Sequence, residues 1–107
     1  EMNEVMAAQM TVVADALAAD VQAAGADPWD NTLAYTYDDG VFHGYLYAVP
    51  DGMGIEFDKN SYLWDAENPI YSRYVMCGHG TRVEERLLAE NWQELVSTED
   101  LVVYKRS

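Results

Sequence analysis

The sequence predicts one α+β domain spanning residues 1–107: an N-terminal helix, a largely antiparallel sheet of four to five strands, and a second helix before the last strand. Three observations predict it. Residues 3–25 repeat apolar side chains at helical spacing. Several later segments alternate instead, two of them around Asp39-Gly40. A capping-box pattern at Thr81–Glu84 opens a second helical stretch, and the apolar run Leu101–Tyr104 follows it.

In the first helix Met6, Met10, Val13, Leu17, Val21 and Ala24 fall on one stripe, which is a core-packing pattern. Asn3 is the expected N-cap, and Glu4 suits the positive end of the helix dipole. Alanine is abundant and proline absent, so propensity agrees with pattern. Gly25 and Pro28 are the expected stop.

Residues 32–49 read as a hairpin, with Asp39-Gly40 as a two-residue turn. That register sets Tyr35 opposite Gly44 and Leu33 opposite Leu46, and turns Leu33, Tyr35, Tyr37, Phe42 and Leu46 toward the core. Pro50-Asp51-Gly52 is a further turn, and Ile55–Asp58 a third short strand. Tyr62-Leu63-Trp64 reads as a strand fragment or packed loop. Residues 70–77 form a fourth strand, broken by Gly78-His79-Gly80. The second helix is expected over about 82–91, with Leu95 as its furthest end, burying Val83, Leu87, Leu88 and Trp92, with Glu84 reaching back to the Thr81 amide. Ser97–Asp100 is a turn and Leu101–Tyr104 the final strand, with the helices expected on one face of the sheet.

The charge is distributed unevenly. The chain has 6 Lys and Arg against 19 Asp and Glu, a formal net charge of -13. No base precedes Lys59, so residues 1–58 carry -11 and residues 59–107 carry -2. Such self-repulsion destabilises a compact state and repels nucleic acid and anionic membrane. With 50% hydrophobic and 12% aromatic residues the chain still has the material for a core, unlike a disordered acidic tail. No apolar run reaches transmembrane length and no signal peptide is legible, so the expected location is cytoplasmic.

Chemistry-bearing motifs are sparse. The single cysteine excludes an intramolecular disulfide framework, and no zinc, EF-hand, phosphate-loop or Gly-x-Ser-x-Gly spacing occurs. No metal or cofactor is expected. Cys77-Gly78-His79-Gly80 is the one local group that resembles a site, a thiol and an imidazole two residues apart, and it supports a small Cys/His hydrolase or transferase as an alternative reading. Against it, an active thiolate wants an electropositive setting, which an acidic chain lacks.

The leading expectation is therefore a non-enzymatic acidic protein that blocks a basic partner, with carboxylates standing in for phosphates. A phage-type inhibitor of a nucleic-acid-binding defence enzyme or complex fits that description, and an immunity protein or antitoxin is the second reading. The expected contact residues are Asp27, Asp30, Asp38, Asp39, Asp51, Glu56 and Asp58, with Tyr45 and Tyr47 as aromatic anchors. Any homodimer should form through the more balanced 59–107 half, where Arg73, Arg82 and Arg86 lie.

Overall fold

The computed structural model describes residues 4–24, 32–36, 54–58 and 62–106. Helix α1 spans Glu4–Ala24 and buries Met6, Gln9, Met10, Val13 and Leu17. The predicted stripe is thus the packed stripe, with Val21 at its partly buried end. The expected caps Asn3, Gly25 and Pro28 lie outside the described residues.

Among the described residues, five strands form one sheet: β1 (Thr32–Thr36), β2 (Gly54–Asp58), β3 (Tyr74–Gly78), β4 (Gln93–Ser97) and β5 (Leu101–Lys105). Their spatial order is β2-β1-β3-β5-β4. The α+β class holds, but the sheet is mixed. Strand β1 runs parallel to both β2 and β3, while β5 runs antiparallel to both β3 and β4.

The hairpin register does not survive. Leu33 pairs with Ile55 on one side and Tyr74 on the other, so neither edge of β1 is left for Leu46 at that position. Residues 37–53, including Asp39-Gly40 and Gly44, lie outside the described residues.

Helices cover both faces of the sheet rather than one. The reason is visible in the central strands, where β3 is buried throughout and β5 at Leu101–Tyr104. Side chains alternate across a strand, so continuous burial requires cover on both sides. Leu33, Tyr35, Tyr74, Met76, Leu101 and Val103 pack under α1. Ala34, Val75, Cys77, Val102 and Tyr104 pack against the second helix, α2 (Arg82–Ala89), with Leu63, Ile70 and Trp92.

Helix α2 is shorter than the sequence suggests. Asn91 adopts φ 62, the left-handed region. Its amide donates to Leu88 O at 3.2 Å, and the Trp92 amide to Leu87 O at 3.0 Å. This is a Schellman closure with asparagine in the place usually taken by glycine. It frees residues 93–97 to form β4, which the sequence hides because a bulge between Glu94 and Val96 breaks the alternation. Only Val83, Arg86 and Leu87 are buried on α2, and Leu88 faces outward. At its start the Thr81 hydroxyl accepts from the Glu84 amide at 3.3 Å, but the Glu84 carboxylate takes the Gly80 amide, at 2.8 Å, rather than that of Thr81. Tyr62–Trp64 is a 3-10 turn, and the fourth predicted strand starts at Tyr74 rather than residue 70.

Two polar clamps hold α1 to the sheet. Near its start, Gln9 donates to Asp100 Oδ2 at 2.7 Å and accepts from the Asp100 amide at 2.8 Å and from the Thr98 hydroxyl. Near its end, Asp20 accepts from Tyr74 at 2.7 Å and from Lys105 Nζ at 2.9 Å.

Candidate functional site

Of the nine predicted contact residues, Asp27, Asp30, Asp38, Asp39, Tyr45, Tyr47 and Asp51 lie outside the described residues. Glu56 and Asp58 lie on β2, the outermost strand on that side among the described residues, in register with Ala34 and Thr36. The fold therefore brings these two acids to the same strand, two positions apart.

The described bases are engaged by the fold itself. Arg86 is buried and donates to Glu90 at 2.9 Å, to Leu63 O at 2.9 Å and to Asn68 O at 2.6 Å. Lys105 pairs with Asp20 at 2.9 Å. Arg106 stacks 4.6 Å over Trp92 and donates to the carbonyls of Ile70 and Ser72. Arg82 lies 4.4 Å over Trp64, and Arg73 5.6 Å over Tyr74. Arg86 is thus a bolt between α2 and the loop around Leu63 and Asn68.

Two groups of described carboxylates contrast. Asp20, Glu84 and Glu90 are tied into the fold. Burial pushes each of them up, but bonds to hydroxyl, amide or cationic donors outweigh it and hold all three below the usual carboxylate range. Glu4, Asp15, Glu67, Glu85, Glu94 and Glu99 are exposed, and among the described residues none of the six forms an ion pair.

Beside α2, Trp64, Ala66, Arg82, Glu85, Ala89 and Glu90 line an open groove of about 320 Å³. Arg86 lines it as well, and Glu85 is its one acid without an ion pair among the described residues.

The Cys77–His79 segment does not present its thiol. Cys77 has 0% exposure and packs in the apolar layer under α2. His79 sits past the end of β3, where its amide donates to Asp100 O at 3.2 Å. Its ring reaches three other groups. Nδ1 lies 3.4 Å from Glu84 Oε2. Nε2 lies 2.9 Å from Ser97 Oγ and 2.9 Å from Thr98 O. Glu84 is itself held by the Gly80 amide at 2.8 Å and the Tyr104 hydroxyl at 2.9 Å.

Sequence reasoning named His79 here but missed Ser97 and Glu84 as its neighbours. Ser97 lies 18 positions away and arrives only because β4 joins the sheet beside β5. Glu84 was legible as a helix-cap residue, and nothing in its spacing marks it as a histidine partner.

Among the described residues there is no cluster of three or more metal-ligating side chains, and no helix is long and apolar enough to cross a membrane. The chain matches no family model, no curated protein sequence and no solved structure.

Proposed function

We propose that this protein works by binding: it presents carboxylates to a basic surface of a nucleic-acid-binding enzyme or complex and blocks it. A phage-type inhibitor of a defence complex is the setting that suits its size and charge. The observation that supports this reading is the division of charge within the fold. The described bases are engaged by aromatic faces, backbone carbonyls or Asp20 and Glu90, while among the described residues the six exposed carboxylates named above form no ion pair. Exposed like charges raise the free energy of the compact state, and a cationic partner surface relieves that repulsion. Glu56 and Asp58 on β2 extend the same acidic character to the half of the chain that lacks bases before Lys59.

The test has two steps. The full chain is immobilised and exposed to cell lysate at low and high salt, and retained proteins are identified. A retained protein is then assayed for nucleic-acid binding with and without the chain. The expected result is a basic partner whose nucleic acid is displaced, with affinity falling at least about tenfold as salt shortens the screening length from roughly 10 Å to a few Å. A retained toxin whose activity is blocked assigns the immunity role within the same chemistry. Binding that is indifferent to salt, or a partner that keeps its nucleic acid, overturns the proposal.

A further inference from the structure

The β3–α2 loop and the β4–β5 turn together place a hydroxyl, an imidazole and a carboxylate in sequence. Ser97 Oγ is 2.9 Å from His79 Nε2, and His79 Nδ1 is 3.4 Å from Glu84 Oε2. A hydroxyl bonded to a base that is in turn oriented by an acid is the arrangement that activates a serine nucleophile. We propose that Ser97, His79 and Glu84 form a serine-nucleophile site for acyl transfer from small neutral esters.

The neighbours of each group support these roles. The carboxylate beside Nδ1 favours the tautomer with its proton there, because the other tautomer would set a ring lone pair against a negative charge. In that tautomer Nε2 accepts the Ser97 proton, whereas the other tautomer donates its Nε2 proton to the Thr98 carbonyl, which can only accept. The Thr98 carbonyl, also 2.9 Å from Nε2, then accepts the N–H that forms when the ring takes up that proton. Glu84 is a positioning residue, fixed from behind by the Gly80 amide and the Tyr104 hydroxyl. The His79 side chain is 37% exposed and Ser97 is exposed, so a small substrate reaches the hydroxyl from solvent. Exposed Glu99 and Asp100 follow Ser97 closely in the chain and disfavour anionic substrates.

The step balances without any further reagent than water. Ser97 Oγ bonds to the ester carbonyl carbon as its proton passes to His79 Nε2, and the carbonyl electron pair moves to oxygen. Collapse of that intermediate breaks the bond to the alcohol, which leaves with the proton from His79. Water then repeats the sequence, releasing the carboxylic acid and restoring Ser97.

Ser97, His79 and Glu84 are not among the six exposed carboxylates, and the test uses no protein partner, so the two proposals fail separately. The intact chain is treated with a neutral fluorophosphonate, which forms an Oγ–P bond with loss of fluoride, and labelled residues are identified by mass spectrometry. The expected result is labelling of Ser97 at least about 100-fold faster than of Ser61 or Ser107, the lower range of general-base assistance. His79→Gln should remove that advantage with unchanged circular dichroism. Glu84→Gln should reduce it, and Glu84→Asp should restore part of it. Hydrolysis of p-nitrophenyl acetate should fall in Ser97→Ala. Ser97 labelling no faster than that of the other serines, or equally fast in His79→Gln, overturns the proposal.

Discussion

The Tyr74 hydroxyl donates a 2.7 Å hydrogen bond to the Asp20 carboxylate, joining the last turns of α1 to the centre of the sheet. Tyr74 has 0% exposure, and Lys105 holds the other carboxylate oxygen at 2.9 Å. One end of this bond is charged, so it belongs to the stronger class of protein hydrogen bonds.

Tyr74→Phe should therefore lower unfolding free energy by about 1.5–3 kcal/mol in urea titration. The pair also sets pH limits. Burial, then the bond to Asp20, pushes the Tyr74 phenol up from 10.0 to about 12. A raised value favours the protonated form in the folded state, so its contribution is complete below pH 10.0 and disappears as pH rises through about 12. Asp20 is held below its ordinary 3.8, so its contribution is complete above that value and is lost as pH falls through the lowered one. Tyr74→Phe should make the alkaline limb shallower, with the Tyr104 phenol, also pushed up by burial and its bond to Glu84, carrying the rest, and should leave a weaker acid limb. An unchanged alkaline slope would show that the Tyr74 phenol does not contribute to it.

Arg86 should matter far more than its ion-pair partner. Its removal leaves the Leu63 and Asn68 carbonyls without their guanidinium donors, at a cost of about 3 kcal/mol for Arg86→Met. Glu90 is at the solvent end of the pair, with 36% side-chain exposure, so Glu90→Gln should cost less than about 1 kcal/mol. Equal losses in denaturant titration would contradict this ordering.

Asn91 carries the turn that releases β4. At φ 62 a β-branched side chain is strained, so Asn91→Val should cost about 1–2 kcal/mol, while Asn91→Gly should be neutral or stabilising. Thermal melting of the two variants, with opposite or clearly unequal shifts, checks this.

Cys77 should be inert in the native state. Its complete burial predicts thiol modification limited by unfolding, so the rate should rise steeply through the urea transition. Rapid modification in buffer alone would mean that the layer under α2 opens readily.

The residues that acted through local spacing were legible in the sequence. The α1 stripe reads directly because Met6, Met10, Val13 and Leu17 sit three or four positions apart and meet the same surface. Thr81 reads as a cap because its bond to the Glu84 amide spans one turn. Strand β4 was not legible, since its bulge breaks the period and its boundary depends on one left-handed asparagine. The uneven charge was also plain, but not that Arg86 would be buried. A helical wheel ranks arginine as solvent-facing until two carbonyls from a distant loop are known to receive it.

The sequence by itself determined the α+β class, the core face of α1 and the acidic balance, because propensity, periodicity and charge are properties of neighbouring residues. Only the tertiary structure decided the mixed strand order, the cover on both sheet faces and the meeting of His79 with Ser97. Those depend on which strand edges pair, and pairing across 18 or more residues is settled by burying both faces of β3 and β5 together rather than by any local pattern.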